Sequence, residues 1–110
     1  MSDSNKILQQ LMQTIADRKN NPSARSYTTK LMSGGIEAIG AKLNEETTEL
    51  IEAAGESGSD ARQHLVHEAA DLFYHIMVLL GFCDVSLQDV ESELARRFGT
   101  SGLDEKASRK

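Results

Sequence analysis

The sequence predicts an all-α domain, a bundle of about four helices completed by homodimerisation. Three observations carry the helical and oligomeric parts of that expectation. Apolar residues recur at helical spacing, and no stretch alternates convincingly like a strand. The chain has one proline, and its glycines fall mostly at segment ends. One long segment, "HLVHEAADLFYHIMVLL" (64–80), is apolar around most of its circumference, which calls for cover on several sides in a chain of 110 residues.

The elements follow in order. Ser4 can cap a first helix whose apolar positions Ile7, Leu8, Leu11 and Ile15 keep helical spacing, and the polar stretch "RKNNPSARSY" stops it. "TTKLMSGG" is ambiguous, read as a helical turn before the Gly34-Gly35 break. A second helix is expected from about Ile36 to Ala54, with Ile36, Ile39, Leu43, Leu50 and Ala54 on one side; "GESGSD" ends it. Ser59 or Asp60 caps a third, reaching about Cys83. Ser86 with Asp89 forms a capping-box pattern for a fourth, through Leu94 to Phe98, with Gly99 closing it. The basic tail "TSGLDEKASRK" remains. On the third helix Ala70, Tyr74, Met77 and Gly81 lie opposite the main stripe of Leu65, Leu72, Ile76 and Leu79, so a partner subunit is expected to cover them in a two-fold dimer.

Composition narrows the function. Seventeen acids against twelve bases give a net charge of -5, which argues against a general nucleic-acid coat. Cys83 is the one cysteine, so no intrachain disulfide forms, and its apolar neighbours suggest a buried thiol. "MSDSNKILQQ" lacks the basic and apolar regions of a leader, and no uninterrupted apolar run reaches membrane-spanning length, so a cytoplasmic protein with no membrane partner is expected. "GIEAIGAK" fails as a phosphate loop, because Ala41 follows its second glycine and no strand precedes it. No serine has a His/Asp triad pattern, and Cys83 has no activating neighbour.

Two acidic stretches stand out, "NEETTELIEAA" and "VHEAADLFYHIMVLL". On the second predicted helix Lys42, Glu46, Glu49 and Ala53 fall within an arc of roughly 60° when each residue advances about 100°. Glu45 sits one step aside. On the third, His64, Glu68, Asp71 and His75 make an equivalent arc. Each acid pair is spaced i, i+3, which sets the Cβ atoms about 5–6 Å apart. Packing the apolar faces together would bring four carboxylates together, and two like charges about 4 Å apart repel by roughly 4 kcal/mol at an effective dielectric of about 20. A hard divalent cation removes that conflict, whereas solvated helix faces with structurally paired acids explain the same residues without one. Oxygen ligands favour Mg²⁺, with Mn²⁺ as a substitute, over a di-iron site, since no Glu-x-x-His occurs in the chain. His75 is read as a hydrogen-bonded buried histidine placed to orient Asp71, His64 and His67 as surface residues, and Phe73 and Tyr74 as packing.

"EETTE" followed by "EAAD" resembles the Glu-Glu-x-x-Glu … Glu-x-x-Asp signature of the all-α MazG-like nucleotide pyrophosphohydrolases. "SYTTKL", "KLNEETTE", "VSLQDVESELARR" and above all the terminal "SGLDEKASRK" narrow the resemblance to the phosphoribosyl-ATP pyrophosphatase family of histidine biosynthesis. Asn44 departs from it, standing where many members have glycine. The resemblance implies Glu46, Glu49, Glu68 and Asp71 as Mg²⁺ ligands, with Glu49 also catalytic and Glu45 a second-metal ligand or water-activating base. It further implies that a helical domain over 1–98 is followed by a tail over 99–110 that folds over the substrate phosphates. Ser101, Gly102, Lys106 and Arg109 of that tail, with Lys30 and Lys42, are the implied phosphate contacts. The implied reaction converts phosphoribosyl-ATP to phosphoribosyl-AMP and pyrophosphate. A house-cleaning pyrophosphohydrolase of the same superfamily and a non-catalytic helical metal-binding module are the alternatives. Association with the next pathway enzyme has no support in the sequence.

Overall fold

The structure, a computed structural model, describes residues 6–98 and is helical throughout its regular elements, as expected. Five helices form: α1 (Ile7–Asn20), α2 (Tyr27–Ser33), α3 (Gly35–Ala54), α4 (Ala61–Phe82) and α5 (Leu87–Arg96). The fifth arises because "TTKLMSGG" belongs to a seven-residue helix rather than a single turn. The Ser26 side chain accepts from the Thr29 amide and starts a seven-residue helix that ends at Gly34.

The other boundaries follow the sequence closely. α1 begins after Lys6 with no side-chain cap, while Ser4 and Gly99 lie outside the described residues. Asp60 holds the position before α4, but its side chain makes no capping bond. Ser86 and Asp89 do form the reciprocal capping box that opens α5.

α3 and α4 make the principal pairing, and α1 and α2 pack across it. Ile15, Leu31, Met32, Ile39, Met77 and Val78 form the buried core, with Leu43 and Tyr74 packed against them. α1 approaches α4 closely at Gly81, where a Cβ would lie 2.7 Å from Ile15 Cγ2. Lys19 ties the end of α1 to the end of α4, its Nζ donating to the Phe82 carbonyl at 2.7 Å and to Asp84 Oδ1 at 2.8 Å. That bond satisfies one of the carbonyls a helix C-terminus leaves open. Asp84 turns the chain there with φ 61, a left-handed conformation that aspartate tolerates better than most residues.

Three expectations need correcting. Cys83 is exposed, because α4 ends at Phe82 and the thiol falls beyond its packed faces. Met77 and Gly81 need no partner subunit, because α1 covers them; the uncovered apolar face of α4 carries Val66, Phe73 and Ile76 instead. On α3, Ala53 is buried and Ala54 exposed, and Ile36 is exposed. α4 reaches a mean hydropathy of 1.3 over a window long enough to cross a membrane, and Glu68 and His75 are buried within it.

Candidate functional site

Packing α3 against α4 brings the two acidic arcs face to face. Glu46, Glu49 and Glu68 each place one carboxylate oxygen within 4.8 Å of the others. Glu46 and Glu68 are 5% and 6% exposed, and Oε2 of each has no hydrogen-bond partner. A buried carboxylate without donors loses its hydration and recovers nothing, a cost of several kcal/mol. Glu49 feels this directly. Burial first, then the neighbouring Glu68, Glu46 and Glu45, hold its carboxyl above the ordinary range. Two orphaned oxygens and a third acid within reach are a donor set of the kind that a hard divalent cation takes. The residues therefore fit a metal ion.

Asp71 sits at the edge of this trio. It is half-buried and groups with Glu68 and His67 rather than with Glu46 and Glu49, with His67 Nε2 3.3 Å from its Oδ2. Among the described residues Lys42 is the lysine beside the cluster, its Nζ 3.6 Å from Glu45 and 3.8 Å from Glu46. Burial works to lower the Lys42 pKa, but Tyr27, Glu45 and Glu46 outweigh it and hold the ammonium charged. Glu45 is exposed beside it. Lys30 lies exposed in the last turn of α2 with no described contact to the acids. Ser101, Gly102, Lys106 and Arg109 lie outside the described residues.

Behind the acids stands a polar network that the sequence revealed only in part. His75 is buried as expected, but it holds the Asp71 main chain rather than its carboxylate: Nδ1–H donates to the Asp71 carbonyl at 2.8 Å. That fixes the tautomer, so Nε2 accepts from the Tyr27 hydroxyl at 2.9 Å. The Thr28 and Tyr74 hydroxyls bond beside it. Tyr27 and Thr28 open α2, so this network locks α2 onto α4 next to the site. Sequence periodicity missed Tyr27 because a seven-residue helix gives too few turns for a stripe; the Ser26 cap was the available signal. His64 is exposed as expected, but its Nδ1 bonds Glu56 at 2.8 Å and its Nε2 lies 3.5 Å from Glu68 Oε1.

The chain is also similar to proteins of one named family. Residues 8–98 match the family described as phosphoribosyl-ATP pyrophosphohydrolase. Phosphoribosyl-ATP pyrophosphatase of Rhodopirellula baltica is 56% identical over 93% of this chain and 85% of its own length. That of Geotalea daltonii is 50% identical over 94% of both chains. The Trichlorobacter lovleyi protein of the same name is 46% identical over 100% of this chain, tail included, and 99% of its own. Matches of this extent, over a chain that carries the acid cluster, place the protein in the phosphoribosyl-ATP pyrophosphohydrolase family.

Proposed function

We propose that this chain hydrolyses the α–β phosphoanhydride of phosphoribosyl-ATP, releasing phosphoribosyl-AMP and pyrophosphate in histidine biosynthesis. The observation that carries the reading is the Glu46–Glu49–Glu68 cluster with its two orphaned buried oxygens, in a chain of this family. Glu46, Glu49 and Glu68, with Asp71 at the rim, would hold Mg²⁺, or Mn²⁺ in its place. The chemistry a divalent ion supplies at such a site is neutralisation of phosphate charge and acidification of a bound water.

The protein's own groups divide the remaining work. Glu45 lies beside the cluster, exposed to solvent, and would serve as the base that receives a proton from the attacking water or as a ligand to a second metal. Lys42, held charged among the acids, meets phosphate oxygens on the same face. The His75–Tyr27 link keeps the wall of the site fixed, so that the acids need not reorganise when substrate arrives. Lys30, with Ser101, Gly102, Lys106 and Arg109 of a substrate-binding tail over 99–110, would supply the other phosphate contacts to the helical domain over 1–98. A few local cations and the metal let a protein of net charge -5 hold a polyanion.

The protein acts in the cytoplasm as a homodimer in this reading. Phe73, Ile76 and Leu94 are 57%, 39% and 55% exposed and line one wholly apolar groove, which supports cover by a second copy. Truncation after Thr100 tests the substrate assignment. The shortened chain should lose phosphoribosyl-ATP hydrolysis while keeping its helical fold; unchanged turnover would remove the tail from the substrate site.

A further inference from the structure

Tyr27 is 49% exposed, yet its one side-chain polar atom is turned inward. The hydroxyl bonds Nε2 of His75, which is buried. Surface tyrosines ordinarily do the reverse, laying the ring against the protein and leaving the hydroxyl in water. What Tyr27 offers to solvent is therefore largely aromatic carbon. The ring is also fixed. Tyr74 stacks beside it with centroids 6.2 Å apart and planes 28° from parallel. His75 meets it edge-on, with centroids 5.9 Å apart. A ring held at its tip and on one side loses little freedom when a flat group settles on its open side.

Its surroundings indicate which group that is. Burial raises the pKa of the Tyr27 phenol, and the strongest influence against that rise is the Lys42 ammonium, with Tyr74, Glu46 and Glu45 adding to the rise. Tyr27 thus flanks the acid cluster from α2, next to the lysine that meets phosphate oxygens in the proposed reaction. A nucleotide held there by its phosphates has its base free to reach the rim, and every base has a π-face that stacks on an aromatic ring.

We propose that Tyr27 is a base-stacking residue, its open ring side receiving the purine of a nucleotide whose phosphates lie at the acid cluster and Lys42. This rests on the proposed hydrolysis for the place of the phosphates, and adds the residue that takes the base. The hydroxyl belongs to the His75 link and the ring to the ligand. A tyrosine kept only for the His75 bond explains the hydroxyl and leaves the exposed ring without a use. Phe73 is more exposed than Tyr27, but it lines a groove of apolar side chains from α1, α4 and α5, with no phosphate-binding cation among them.

The test is calorimetric titration of the full chain, with Mg²⁺ present, using adenosine monophosphate and separately ribose 5-phosphate, which carries the sugar and phosphate without the base. The parent should bind the nucleotide at least about fivefold more tightly, the lower end of what one base–aromatic stack contributes. Tyr27→Phe keeps the ring, loses the His75 bond and should retain that ratio. Tyr27→Leu should erase it while leaving ribose 5-phosphate binding as in the parent, which also reports a folded site. A parent that binds the two ligands alike, a ratio that survives Tyr27→Leu, or one that falls equally in Tyr27→Phe overturns the stacking role. So does a Tyr27→Leu chain of lower sedimenting mass than the parent, since the ring would then be a contact between copies. The expected ratios in a protein that releases no pyrophosphate would instead sink the proposed reaction and leave Tyr27 as a nucleotide contact.

Discussion

Glu49 carries the residue-scale argument. Its carboxyl is held above the ordinary range by burial and then by three neighbouring acids, so in the metal-free protein it is a source of strain rather than of stability. Glu49→Gln removes a charge from the cluster. The metal-free variant is expected to melt at or above the parent temperature, while turnover falls by more than the roughly 100-fold that changes outside a metal's direct ligands cost. Thermal melting and a pyrophosphate assay on the same preparation check both halves. Mg²⁺ should also raise the parent's stability, by about 2.7 kcal/mol at a hundred times Kd, and the variant's by less at the same concentration. These acids were legible because their chemistry contradicts their setting: Glu68 and Asp71 interrupt an apolar run, and spacing alone put them on one face. His75 was legible as buried, but its hydrogen bond to a main-chain carbonyl was not, since nothing in residue type says which neighbour a ring will meet.

At the scale of elements, the helices declared themselves through caps and periodicity in proportion to their length. α3 and α4 run 20 and 22 residues, long enough for several repeats of a stripe, and their boundaries were readable to within a residue or two. α2 runs seven, and a stripe of that length cannot be told from chance. The packing partners of each face were harder to read. α4 is apolar on more than one side, and the side carrying Met77 and Gly81 was assigned to another subunit when α1 in fact covers it. Gly81→Ala tests that contact. Ile15 is fully buried and branched at Cβ, so it cannot yield easily, and the extra methyl should cost about 1–3 kcal/mol in denaturant unfolding. α5 offers a pH probe. Hydrogen bonds from Arg96 and then Arg97 lower the Glu93 pKa from 4.5 to about 2. The contribution of that cluster is present above pH 4.5 and fades as pH falls toward 2. Amide protection across α5, relative to the intrinsic exchange rate at each pH, should fall over that interval, and Glu93→Gln should flatten the dependence.

The whole molecule joins an acidic surface, a metal-fitting cluster between two core helices and an apolar face on α4 and α5 that its own chain leaves open. An all-α architecture was evident from composition and periodicity, because helices of this length impose their period on the sequence. The candidate site was legible in the convergence of two acidic motifs, and the family in a resemblance that periodicity alone does not supply. Sedimentation should give twice the chain mass at micromolar concentration, with single-chain mass speaking against the open face being an interface. The most direct test of the central claim is pyrophosphate release with and without Mg²⁺, comparing phosphoribosyl-ATP with ordinary nucleoside triphosphates. Release that requires Mg²⁺ and strongly favours phosphoribosyl-ATP is the expected result; release from neither, or equal release from all, would contradict it.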